Sequence, residues 1–161
     1  FRHHEVVGAK MTKKILQNLK YDKKTIKNVA SLVELHLRPH TFKMGWTDSA
    51  VRRYIVDAGE VLEDLNNLVR ADVTTKNKQK AQEIFEKLDE METRIKEVLE
   101  KEEMSKLRPP ISGDEIMSLF DLEPGPKVGV IMKALYEQRI NEGEVSKEEA
   151  IKLAKETFNN L

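Results

Sequence analysis

An all-α fold, built as a multi-helix array, follows from three observations on the 161-residue chain. Apolar residues recur at steps of three and four along most of its length, and no alternating strand-like run interrupts them. Charged residues make up 35% and aromatics only 6%, a Glu-, Lys-, Leu- and Ile-rich mixture that suits helices with one solvated face. Serine caps paired with glutamate three residues on, and prolines at helix starts, punctuate the pattern where helices should begin.

Taken in order, Val6, Ala9, Met11, Ile15, Leu16 and Leu19 place a helix over about 4–20, broken at Tyr21 and Asp22. Ile26, Val29, Ala30, Val33 and Leu37 share one face of a second helix, which ends before Pro39 because proline disfavours a helical preceding residue. Residues 39–46 read as a loop. Thr47 in N-cap position and Asp48 in the first turn open a helix to about Ala58, and Gly59 punctuates it. Val61, Leu62, Leu65, Leu68 and Val69 carry the next helix to about Asp72. After a break at 74–77, residues 78–106 read as one long helix with Ala81, Ile84, Leu88, Met91, Ile95 and Val98 on its packed side.

Arg108-Pro109-Pro110 marks the clearest boundary. Ser112 with Glu115 starts a short helix to about Phe120, Pro126 starts another that stops near Gly143, and Ser146 with Glu149 starts the last. The resulting division is 1–75, 76–107 as a connecting helix, and 108–161 as a helical tail.

The lack of cysteine excludes a disulfide scaffold and any thiolate zinc site, as expected of a reducing, cytoplasmic setting. No apolar run approaches the roughly 20 residues of a membrane span. The chain begins at Phe1 directly on a helical pattern, and the expectation is that it is an excised or processed piece of a longer protein. Net charge is zero but unevenly spread: residues 1–54 hold 12 Lys/Arg against 4 Asp/Glu, and residues 55–105 hold 8 against 14. A basic first third is either a footprint for a polyanion or a lysine-solubilised helix face.

Three constellations are candidates for chemistry. His4, His36 and Asp72 offer imidazole and carboxylate ligands for a divalent metal, although His36 also fits a half-buried core histidine and Asp72 a helix-end carboxylate. Pro124-Gly125-Pro126-Lys127 delivers a lysine and backbone N–H groups at a helix start, which suits either a phosphate or a plain tight turn. Arg70, Thr74, Thr75, Lys76, Asn77, Lys78 and Lys80 gather basic and hydroxyl groups at a helix junction, as a grip on a polynucleotide backbone or as a solvated helix start. No nucleophile–base pair, GxGxxG or P-loop is present.

The ordered stretches His4-Glu5-Val6-Val7-Gly8-Ala9, Leu32-Val33-Glu34-Leu35-His36, Trp46-Thr47-Asp48-Ser49-Ala50-Val51-Arg52-Arg53-Tyr54 and Arg70-Ala71-Asp72 with Thr74-Thr75-Lys76-Asn77-Lys78 are more distinctive. With Ser112-Gly113-Asp114-Glu115 and Glu123-Pro124-Gly125-Pro126-Lys127 they resemble bacterial CCA tRNA nucleotidyltransferases of the poly(A) polymerase family, specifically actinobacterial-type members with an HD-type helical region. The resemblance spans essentially the whole chain. It implies a tRNA-binding, non-catalytic C-terminal portion of a CCA-adding enzyme. The magnesium ions and nucleoside triphosphates of nucleotidyl transfer would then belong to a head domain missing from this chain. It points to Arg52, Arg53, Lys76, Lys78 and Lys127 as RNA contacts, and to His4, His36 and Asp72 as part of an HD-type metal set. The alternative it carries is an HD-type metal-dependent phosphohydrolase, here without the family's His-Asp pair. Pairing of two copies through exposed helices is a further expectation.

Overall fold

The computed structural model describes residues 4–42, 45–101 and 108–161. The described residues form helices and connecting turns, with no strand among them. The helices are α1 (His4–Asn18), α2 (Lys23–Leu35), α3 (Asp48–Ala58), α4 (Leu62–Ala71), α5 (Lys78–Lys101), α6 (Gly113–Phe120), α7 (Pro126–Glu142) and α8 (Lys147–Asn159). Short 3₁₀ turns occupy Arg38–Thr41 and Gly59–Val61. The part of the long helix expected beyond Lys101 lies outside the described residues. No helix among the described residues is long and apolar enough to cross a membrane.

The chain divides into two compact units. Unit 1 comprises Phe1–Thr47 and Arg53–Lys96, and unit 2 comprises Asp48–Arg52 and Glu97–Leu161. These are not the three stretches read along the sequence. Leu88, Met91 and Ile95 of α5 are buried and fall in unit 1, and the buried Val98 falls on the unit 2 side of the division.

In unit 1 the α1–α2 hairpin is closed by a Schellman-type turn. The Lys20 amide donates to Gln17 O and the Tyr21 amide to Leu16 O, both at 3.0 Å. Lys20 itself adopts a left-handed conformation, φ 59°. Asp22 then caps α2 by accepting from the Thr25 amide at 3.0 Å. Gly8 lets the two helices approach closely, since a Cβ there would meet Val33 Cγ1 at 3.1 Å. The inward side of α1 is narrow. Ala9 is buried, whereas Val7, Met11, Ile15 and Leu19, each four residues from the last, are more than half exposed.

The core of unit 1 gathers Tyr54, Ile55, Leu65, Val69 and Met91. Trp46 joins it, its ring edge-on to Phe42 at 5.5 Å and tilted against Tyr54 at 5.1 Å between centroids. The Tyr54 hydroxyl donates to Asn66 Oδ1 at 2.9 Å. Burial pushes the Tyr54 phenol well above its ordinary value, with Glu92 adding to the rise and Arg38 opposing it. The unfolded chain ionises this group near pH 10, whereas the folded chain resists. Its contribution to stability is therefore intact below about pH 10 and is lost as pH rises above that. Tyr54→Phe is expected to cost about 1 kcal/mol at neutral pH and to lessen the alkaline loss. Urea melts of both proteins at about pH 7 and about pH 11 check this.

Unit 2 is organised by two capping boxes. Ser112 and Glu115 cap each other's backbone at the start of α6, as do Ser146 and Glu149 at the start of α8. Lys147 Nζ bridges to Glu115 Oε1 at 2.6 Å and links the two caps. Beneath them Ile116, Ile131 and Leu135 are buried with Ala150 and Ala154, and Phe120 stacks on Phe158 at 4.6 Å. Each large aliphatic side chain so buried contributes about 1.5–3 kcal/mol.

Candidate nucleic-acid interface

The α4–α5 junction of unit 1 is a braced turn. Arg70, at the end of α4, donates to Glu92 Oε1 at 2.9 Å and to Asp89 Oδ1 at 2.5 Å, both carboxylates on α5. Asp72 ends α4, its amide donating to Leu68 O at 3.0 Å. The Asn77 amide donates to Thr75 Oγ1 at 3.3 Å, and Asn77 Oδ1 accepts the Lys80 amide at 3.1 Å, which caps α5. With the backbone fixed this way, Lys76, Lys78 and Lys80 all stand exposed at the electropositive end of α5. Arg70 does not join them, because its guanidinium is committed to holding α5.

Arg52 is placed differently from the sequence expectation of an RNA contact. It is 8% exposed, and its Nη1 donates to the Ile140 carbonyl at 3.2 Å within unit 2. A carbonyl at a helix end needs a donor, and a buried arginine supplies one. Its neighbour Arg53 is half-buried and has interactions of its own. Lys127 of unit 2 is exposed in the first turn of α7, after an extended Gly125 that caps the helix with no side chain. Pro126 opens the helix at a position where its missing N–H leaves no intrahelical bond unmade.

Of the three residues expected to hold metal, the structure brings two together. The His4 and His36 rings lie 5.6 Å apart between centroids. His36 Nδ1 is hydrogen-bonded to Val33 O at 2.7 Å, which fixes the ring and leaves Nε2 as its other nitrogen for a ligand. Asp72 is exposed at the end of α4. No group of three or more His, Cys, Asp or Glu is gathered to hold a metal ion among the described residues. An open cleft of about 650 Å³ lies close in sequence to this pair, lined by Glu5, Ser31, Glu34, Arg38 and Asp57. Arg38 and Asp57, both in its lining, form an ion pair with each other.

Sequence reasoning passed over the lysines of the α1–α2 hairpin as individual contacts. The only signal for them was the excess of basic residues in the first third.

A family model described as tRNA nucleotidyltransferase domain 2, putative, matches residues 6–154. The chain is 35% identical over 141 residues to an A-adding tRNA nucleotidyltransferase of Deinococcus radiodurans, a match covering 86% of this chain and 31% of that protein. It is also 35% identical over 152 residues to a CC-adding tRNA nucleotidyltransferase of Thermus thermophilus, covering 93% of this chain and 32% of that protein. The chain thus spans about a third of the length of these curated relatives. No solved structure matches it significantly.

Proposed function

The chain belongs to the tRNA nucleotidyltransferase domain 2 family, and on that premise we propose that it is the tRNA-holding, non-catalytic portion of a CCA-adding tRNA nucleotidyltransferase, acting in tRNA 3′-end processing. The observation that carries this reading is the braced α4–α5 junction, which presents Lys76 and Lys78 to solvent on a fixed backbone. Lys127 at the start of α7 is a second contact, with Arg53 supporting. Such groups neutralise phosphates and read no bases, which suits a protein that handles tRNA by shape. Nucleotidyl transfer, with its magnesium ions and nucleoside triphosphate, falls in this reading to a part of the polypeptide beyond these 161 residues.

Titrating tRNA into the chain at about 50 and about 200 mM salt tests the reading. Affinity is expected to drop about tenfold or more between the two, since phosphate-dominated binding releases counterions. Lys76→Glu with Lys78→Glu weakens binding at the lower salt, and Lys127→Glu does so independently. Binding that ignores salt, or no binding at the lower salt, overturns the proposal.

A metal-dependent phosphohydrolase of HD type has one supporting observation, the approach of His4 to His36. It is the weaker reading, because two imidazoles hold a metal poorly when no third ligand is gathered with them among the described residues. Hydrolysis of a phosphodiester with manganese or nickel, abolished by His36→Ala, would reverse the preference.

A further inference from the structure

Residues 10–27 hold seven lysines and a single carboxylate. Every one of these lysines (Lys10, Lys13, Lys14, Lys20, Lys23, Lys24 and Lys27) is exposed. The carboxylate, Asp22, is occupied in capping α2, with both of its oxygens on Thr25. Lys24 pairs with Glu60 at 3.2 Å, and no other lysine of the set meets a carboxylate among the described residues. Glu5 and Glu34 stand at the opposite end of the hairpin from its turn.

A face that needs only solubility mixes both signs, as α5 does with six basic and seven acidic side chains over its 24 residues. The hairpin does not. Lys10, Lys13 and Lys14 fall within an arc of about 100° on α1, and Lys20 and Lys23 follow at the turn.

Lys20 adds a second, independent observation. It occupies the left-handed position that closes α1, φ 59°, where glycine is the favoured residue. A lysine there costs stability and adds a cation at the tip of the hairpin.

We propose that the α1–α2 hairpin is an additional phosphate-binding surface for the backbone of the RNA that this chain holds, with Lys13, Lys14, Lys20 and Lys23 as its main contacts. The proposal rests on the tRNA-holding reading above and places contacts on a separate pair of helices. An anionic membrane is the rival partner, because α1 also exposes Val7, Met11 and Ile15 beside its lysines. RNA is favoured because the lysines cluster toward the turn and continue beyond α1 onto α2, as a strand of phosphates requires.

The test compares the unmodified chain with Lys13→Glu/Lys14→Glu/Lys20→Glu/Lys23→Glu in tRNA titrations from about 50 to about 200 mM salt. The charge-reversed chain is expected to bind about tenfold or more weakly at the lower salt, with a shallower dependence on salt. Lys20→Gly guards against misfolding, because it can only relieve the turn. It is expected to melt a few degrees higher, by about 2–4 °C, and yet to bind tRNA severalfold more weakly. If the unmodified chain binds and both variants match its affinity and salt slope, the hairpin proposal falls while the tRNA-holding reading stands. If the unmodified chain fails to bind tRNA, both fall. Binding to phosphatidylcholine vesicles containing about one third phosphatidylserine, in place of tRNA, would overturn the hairpin proposal in favour of a membrane.

Discussion

Gly143→Val is expected to destabilise unit 2 by about 3 kcal/mol, read as a lowered urea midpoint at unchanged slope. Two costs add. Gly143 sits at φ 83°, ψ −131°, a conformation that only glycine adopts readily. A Cβ there would also lie 2.9 Å from Arg52 Nη2. The guanidinium has little room to retreat, because it is buried and its Nη1 holds the Ile140 carbonyl. Displacing it would leave a buried charge and a helix-end carbonyl short of partners together. Gly143→Ala should show most of the same loss. In combination with Arg52→Ala the two changes should fall short of additivity, because the clash disappears with the guanidinium.

Leu135→Ala is the second large effect, expected to cost about 3 kcal/mol through the cavity it leaves. Leu135 is 2% exposed on α7 and belongs to the cluster with Ile116, Ile131, Ala150 and Ala154. The alanines of α8 are already as small as they can be without glycine, so the site collapses poorly. Hydrogen exchange should speed up in α6, α7 and α8 together, because one cluster serves all three helices. A change confined to the turn around Leu135 would contradict that cooperative reading. In the tRNA titration, the same variant should weaken whatever Lys127 contributes, because that lysine depends on α7 being formed.

The helices were legible wherever their ends are fixed locally. Ser112 with Glu115 and Ser146 with Glu149 form the capping boxes that their spacing announced, and Pro126 starts α7 as expected. The 3₁₀ turn at Arg38–Thr41 was read as loop, because its proline signals the end of α2 and carries no pattern for the turn beyond it. Arg52 was the less legible residue. Its fate depends on a carbonyl 88 positions away, and no local pattern reports such a partner.

The distinctive run Trp46 to Tyr54 is in large part a packing motif. Trp46 and Tyr54 share an aromatic cluster with Phe42, Val51 is fully buried, and Arg52 faces inward. A stretch that identifies a family well can do so because the fold needs it, with no ligand involved. On α1, periodicity found the helix, but most of the apolar residues that carry it do not mark its packed side. Met11, Ile15 and Leu19 are exposed, and α1 packs on α2 through small residues such as Gly8 and Ala9.

Unit 2 borrows Asp48–Arg52 from the middle of the sequence that otherwise builds unit 1. A gene fragment starting at Glu97 would therefore encode a tail whose Ile140 carbonyl has lost its arginine. A fragment stopping at Lys96 would carry that arginine with nothing to hold. No single cut separates the two bodies intact. Anyone dividing this protein into expressible pieces would need to graft the five residues onto the tail, or to permute the chain so that they precede it.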